Sequence, residues 1–452
     1  MSATTISSLS PALSPSPLLT PTSLPERTSI LGVTILPRIS EKGGLNLVSD
    51  AGIEWTRMEI GWDIVEPTRG DRNWARLQGF EEDLLNAVQA GLEPVVILGG
   101  TPSWAVKTGF RCGVINEDLL SEFASFASQV VARYSAPPYN IHYWELYNEP
   151  DVNGLLGCWG DPLDNQYFGG GAYGRMLIKV YPAIKSVNPS AQVLIGGLLL
   201  DCDPINPPDD LSRPGQKKNC TPARFLEGAL TSGATDAFDG VAFHSYDYYY
   251  GLGGYANSNW ASDSKKNGSS TVGKAAYIRS VLEKFHVSNR YLINTEFALF
   301  CGREGSNECD PYIAEVETTK AYYAVQFTAQ AVADNYKAAI WYATQWSRNV
   351  SLFNQDLTPK PAYYAYRFAN YMIGNASFSR VVNLDLGMKI YEFKKQSMVI
   401  WVTWALEGKT LNLNLPKLPD TFYRILPNGI ASSQSVSQTI RLGPEPIFLV
   451  FK

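Results

Sequence analysis

Pro94-Val95-Val96-Ile97-Leu98-Gly99 is an unbroken apolar run of strand length, and its surroundings repeat. A stretch of helical period over 118–134 follows it, then a second run at 141–148, Ile-His-Tyr-Trp-Glu-Leu-Tyr-Asn. A strand with no polar alternation is covered on both faces, the condition of a parallel sheet flanked by helices. Working outward, strands are predicted over 30–36, 55–62, 192–199, 238–246, 290–297 and 337–344. Helices are predicted over 77–90, 173–187, 222–231, 272–285, 314–334 and 361–372, the first ended by Gly91 and the second by Asn188-Pro189. Eight strands, the last seven each followed by a helix, without a Gly-x-Gly-x-x-Gly turn predict an α/β fold closed as a (β/α)8 TIM barrel, not an open dinucleotide-binding sheet.

The 452 residues leave room for a barrel of roughly 250 residues or more and a smaller module. From 377 the helical period disappears. Short strands over 389–394, 398–404, 410–415 and 447–451, with turn pairs Glu407-Gly408 and Asn428-Gly429, predict a C-terminal antiparallel β module. The expected division is a Ser/Thr/Pro-rich leader at 1–28, the barrel at 29–376 and the β module at 377–452. The leader lacks a basic start followed by an apolar core, so as it stands it is not a signal peptide. A net charge of −5 with no Lys/Arg stripe argues against a nucleic-acid partner. No run approaches the ~20 apolar residues of a membrane span. Nothing in the sequence fixes the oligomeric state.

Six cysteines, Cys112, Cys158, Cys202, Cys220, Cys301 and Cys309, fall in segments read as loops after strands. Cys202/Cys220 and Cys301/Cys309 each bracket one loop, which leaves Cys112 and Cys158 to join neighbouring loops; other pairings stay open. No Cys-x-x-Cys pair exists and the three histidines are scattered, so neither a metal site nor an organic cofactor is expected. Disulfides imply an oxidising, secreted or extracytoplasmic setting.

The chemistry lies at strand ends, where barrels of this kind carry their reacting groups. Glu149 closes the fourth strand, in Tyr-Trp-Glu-Leu-Tyr-Asn-Glu-Pro, and Glu296 closes the seventh, in Tyr-Leu-Ile-Asn-Thr-Glu-Phe. Two carboxylates meeting in one pocket are the minimum equipment for cleaving a glycosidic bond. Strand alternation gives Glu145 the face of Glu149, and Glu59 that of Arg57; both read as charges in the core or in the layer supporting the reacting groups. Trp104, in Thr-Pro-Ser-Trp after the third strand, suits either packing or a sugar face. Tyr248, Tyr249, Tyr250 and Trp260 read as a loop over the barrel mouth, and Asp151 as a loop cap.

Tyr147-Asn148-Glu149-Pro150, His244-Ser245-Tyr246 and Thr295-Glu296-Phe297 together resemble the retaining glycoside hydrolases of clan A, most closely its family 39 and family 5 branches. Pro359-Lys360-Pro361-Ala362-Tyr363 and the β module behind it extend the resemblance to the C-terminus. The resemblance implies that Glu149 is the general acid/base and Glu296 the nucleophile. It gives Asn148 a hydrogen bond to the sugar 2-hydroxyl, and Tyr246 and Arg57 the task of orienting Glu296 and keeping it charged. His244 would line the pocket, and either Trp341 or Trp346 would floor a sugar subsite. The implied partner is an oligo- or polysaccharide or another glycoside. The rival reading is a carbohydrate-binding TIM barrel that keeps the cleft without turnover.

Overall fold

The computed structural model describes residues 24, 26–110, 113–153, 159–260, 269–384, 387–406 and 409–452. Eight parallel strands close a barrel in which β1 (Leu31–Thr34), β2 (Trp55–Gly61), β3 (Glu93–Gly99), β4 (Tyr143–Asn148) and β5 (Gln192–Leu198) run in order. The circuit continues through β6 (Gly240–Gly251), β8 (Tyr291–Phe300) and β9 (Ala339–Tyr342), and the β5–β6 and β9–β1 pairings complete it. The intervening β7 (Gly254–Ala256) runs antiparallel to β6. The segment expected to be a loop over the mouth is therefore partly a strand extension with a hairpin. Trp260 is buried there, its indole N–H bonded to Leu200 O at 2.8 Å.

Trp55, Val95, Tyr143, Leu194, Ala242, Ile293, Ala338 and Ile340 plug the barrel interior. Trp55 and Tyr143 meet edge to face with centroids 4.9 Å apart. Towards the C-terminal strand ends the inward positions turn polar: Arg57 and Glu59 stand on β2, Glu145 and Asn148 on β4. The lumen thus passes from apolar floor to charged mouth.

Two strands change phase on the way up. With Ile293 inward, strict alternation would send Thr295 in and Glu296 out. The β6–β8 register instead steps from Phe243↔Asn294 to His244↔Glu296, so Thr295 is an unpaired extra residue, a β-bulge. Glu296 therefore enters the barrel, and Phe297 turns outward to stack on Phe327. In β4, Tyr147 takes a left-handed φ of 65°, and its ring packs between Phe123 and Trp159 while Asn148 returns to the interior.

The C-terminal residues form a six-stranded antiparallel sheet. It comprises β10 (Ser377–Val381), β11 (Met388–Lys395), β12 (Met398–Ala405), β14 (Thr421–Ile425), β15 (Ala431–Gln434) and β17 (Ile447–Phe451). A separate pair, β13 (Leu411–Asn414) and β16 (Thr439–Leu442), covers its far face. The near face buries Phe393, Ile400, Val402, Trp404 and Phe448 against helices Ile313–Ala333 and Pro361–Ile373. Thr403 and Trp404 are core residues of this sheet. The sequence reading missed β10, β14, β15 and β16, strands of only four or five residues, of which β16 does alternate exposed and buried positions. The Asn428-Gly429 turn is present with Gly429 at φ 78°, whereas Glu407-Gly408 lies outside the described residues.

Cys202–Cys220 and Cys301–Cys309 are bonded, with Cα atoms 5.3 and 6.1 Å apart. Cys112 and Cys158 lie outside the described residues. No helix among the described residues is long and apolar enough to cross a membrane.

Candidate active site

Arg57 organises the mouth. Its Nε and Nη2 donate to the two oxygens of Glu145 at 3.1 and 2.6 Å, a bidentate fork across the lumen from β2 to β4. Nη1 donates to Glu296 Oε1, and Nη2 also reaches Asn148 Oδ1 at 2.8 Å. A buried guanidinium is costly unless paired. Burial alone would lower its proton affinity, but Glu145 and then Glu296 outweigh that and raise it. Arg57 is thus a permanent cation bound to Glu296. Tyr246 donates its hydroxyl to Glu296 Oε2; burial and the adjacent Glu296 charge hold that phenol well above its ordinary range, so it stays a donor.

Glu149 has a different environment. His244 Nδ1 lies 2.8 Å from Glu149 Oε1 and 3.6 Å from Glu296 Oε2. Burial pushes the Glu149 carboxyl up to about 7, with Glu145 adding to the rise and Arg57 and Lys274 opposing it. Burial likewise pushes His244 down to about 4, so the imidazole is neutral at neutral pH. A neutral imidazole against a protonated carboxyl shares one proton across that contact. Glycine is required at position 197: a Cβ there would overlap His244 Nε2 and come within 2.9 Å of Glu145 Oε1. The Gly197 N–H instead donates to Glu145 Oε1 at 2.7 Å.

One donor atom each from Glu149, His244 and Glu296 lies within 4.8 Å of the others. A divalent ion fits that spacing, but the donor chemistry favours a proton. Arg57 already supplies a cation to Glu296, Tyr246 occupies its second oxygen, and a buried guanidinium repels added positive charge.

The structure brings Arg57, Asn148, Glu149, His244, Tyr246 and Glu296 together. Trp346 stands at the mouth, 50% exposed, edge-on to Tyr342 at 5.5 Å. Trp341 does not line the site, a correction that strand alternation explains. Ile340 points into the barrel, so Trp341 points out, wholly buried against Phe297, Tyr323 and Tyr366 with its N–H on Val350 O. Trp104 is anchored by its indole N–H to Glu66 O at 3.0 Å and packs edge-on to Trp62, a packing role.

Sequence reasoning missed Tyr342, whose inward phase follows from Ile340 and whose phenol is raised by burial and by Glu296. Glu59 is exposed at the mouth yet still acts on Arg57, each favouring the charged form of the other, so it is a charge beside the reacting groups and not one in the barrel core. The walls around Glu59 still desolvate it enough to raise its carboxyl, and Asp63 adds to the rise. Asp151 does cap a loop, accepting Leu199 and Leu200 N–H groups.

No family model and no curated protein matches this chain. Solved structures do. A family 39 glycoside hydrolase from the gut symbiont Bacteroides cellulosilyticus superposes with a TM-score of 0.67 at 19% identity, over 96% of this chain and 83% of that one. A family 30 endoxylanase from Clostridium papyrosolvens gives 0.61 at 13% identity, over 93% and 95%. An arabinofuranosidase gives 0.61 at 13% identity, over 96% and 98%. At these identities the likeness is one of fold: this chain shares with those glycoside hydrolase structures a closed eight-stranded barrel carrying a C-terminal antiparallel sheet.

Proposed function

We propose that this protein is a retaining glycoside hydrolase that cleaves β-glycosidic bonds by double displacement. The carrying observation is the pair Glu149 and Glu296, one oxygen of each within 4.8 Å of the other at the barrel mouth, in opposite surroundings. Carboxyl groups about 5–5.5 Å apart suit a nucleophile and an acid/base, whereas inversion needs roughly 6.5–9.5 Å to admit a water. The fold likeness to glycoside hydrolases of several families supports a carbohydrate substrate. The β-linkage rests on the clan A sequence resemblance.

In the first step Glu296, ionised between Arg57 and Tyr246, attacks the anomeric carbon while Glu149 gives its proton to the departing oxygen. Esterification removes the Glu296 charge and leaves Arg57 paired with Glu145 alone. Glu149 then faces a more positive site, loses its proton more easily and acts as base towards water. Asn148, with Oδ1 on Arg57, has its amide N–H groups left to donate to a sugar hydroxyl. Trp346 offers a ring face at the mouth. The two disulfides support an extracytoplasmic setting.

A panel of aryl glycosides and of plant and microbial polysaccharides tests the reading, with product size and the anomeric form of the first product read by NMR. Retention is expected. First-formed product of inverted configuration would overturn the mechanism, and binding without hydrolysis across the panel would favour the carbohydrate-binding barrel.

Two further results are expected. The pH profile of kcat/KM should be bell-shaped, with its alkaline limb near 7, because the acid form of Glu149 is required and is lost as pH rises through about 7. A profile flat from about pH 4 to 9 would contradict paired carboxylates. Gly197→Ala should lower kcat/KM by about 10²-fold, since the methyl displaces the His244 ring that contacts Glu149. Kinetics alongside a thermal melt would separate this from unfolding; a folded variant of normal activity would show that the His244 position is immaterial.

A further inference from the structure

Two buried opposite charges join the exits of β4 and β5, and no step above uses them. Asp151 follows Glu149 by two residues; its Oδ1 accepts Leu199 N–H at 2.9 Å and its Oδ2 accepts Leu200 N–H at 2.7 Å. Lys274, on helix Ser270–Lys284, turns inward, and its Nζ donates to Leu199 O at 2.6 Å and to His244 O at 2.9 Å. Both residues are 2% exposed. The Leu199–Leu200 segment is therefore gripped from two sides, its N–H groups by a carboxylate and its carbonyl by an ammonium. Trp260 takes the next carbonyl, Leu200 O.

The backbone in this region needs such a grip. Glu149 has φ 42° and Leu200 φ 51°, left-handed values that residues with a Cβ adopt only where their surroundings over-determine them. Glu149 N–H donates to Gly197 O at 3.1 Å, one strand end away from the clamp. A lysine buried only for packing would be better replaced by an apolar side chain. This one binds the carbonyl of His244, the residue whose ring meets Glu149.

We propose that Asp151 and Lys274 are positioning residues for Glu149, locking the β4 and β5 exits together so that its carboxyl stays against His244 and beside Glu296. The proposal rests on Glu149 being the proton carrier. The electrostatics agree with it. Lys274 faces Asp151, Asp247, Glu149 and Asp201, and Asp247 is itself held by Ser269 and Ser270. Glu149 faces His244, Glu296, Tyr246, Tyr342, Arg57, Lys274, Glu145 and Asp151, while Asp151, pushed up to about 7 by burial, faces Glu149 and Lys274. Removing the ammonium should strengthen the hold of Glu149 on its proton, and removing the Asp151 charge should weaken it.

The test needs no substrate. Proton uptake is titrated for the protein and for its Glu149→Gln form, and the difference gives the Glu149 midpoint. The measurement is repeated with Lys274→Met and with Asp151→Asn in both forms. Lys274→Met is expected to move the midpoint up and Asp151→Asn to move it down, each by about 0.5–1 pH unit. Shifts of one sign, or none, would overturn the proposal, because Asp151 and Lys274 would then not act on Glu149 from opposite sides as the clamp requires. Should a single variant not fold, the charge-balanced Asp151→Asn/Lys274→Met protein decides. Amide exchange at Glu149, Leu199 and Leu200 should quicken there while Val95 and Val96 in β3 keep their protection, and unchanged exchange overturns the clamp. Failure of the glycosidase reading would show separately, as absent hydrolysis with these midpoints intact.

Discussion

Glu296→Gln is expected to lower turnover by on the order of 10⁴–10⁶-fold, the scale seen when a covalent nucleophile is removed. The amide matches the carboxylate in shape; its oxygen still accepts from Arg57 while its NH2 donates to the Tyr246 oxygen, so the site keeps its outline. It carries no charge and forms no glycosyl ester. Arg57 keeps its bidentate partner Glu145, so no buried cation is stranded and the melting temperature should change little. Kinetics on the best aryl glycoside from the panel, with a thermal melt, make the check. A folded Gln variant with substantial residual activity would remove Glu296 from the mechanism.

Glu149→Ala should have a different signature. On substrates with poor leaving groups the loss should be about 10²–10⁴-fold, the usual worth of a general acid. On aryl glycosides with activated leaving groups the first step proceeds unaided and the glycosyl-enzyme accumulates. The cavity left by the side chain adjoins the anomeric carbon, so added azide should restore turnover and yield the β-azide. An α-azide would mean that Glu296 is not the attacking group, and no response to azide would separate Glu149 from the water-activating step.

Much of this was legible before any coordinates, for identifiable reasons. Unbroken apolar strands leave few alternatives to a helix-covered parallel sheet, and the closed barrel follows from their number. Glu149 directly follows β4, a position that pattern alone can find, whereas Glu296 lies four residues inside the end of β8, which continues to Phe300. What sequence did not give is phase and reach. Trp341 and Trp346 looked equivalent until Ile340 was known to face inward, which sends Trp341 among the helices and brings Tyr342 to the site. Lys274 belongs to a helix whose own period says nothing about a long side chain crossing to two strand ends. Glu59 shares the strand face of Arg57, but a charge at the plugged floor and one at an open mouth look identical in one dimension. The short strands of the C-terminal module escaped for a related reason: four or five residues are too few for alternation to stand out, even in β16, where it is present.

The unpaired Thr295 separates two stretches that are already in phase: without it, His244 would still meet Glu296 across a regular ladder. Excising its codon would therefore keep Glu296 in the lumen and Phe297 among the helices, and would remove only the local bend and extra twist. Flattening the bulge with every residue retained is the damaging change, because it sends Thr295 inward and rotates Glu296 out. The reactive group of this barrel thus depends on where the strand absorbs its surplus residue, and the chain tolerates a one-residue shortening at that point.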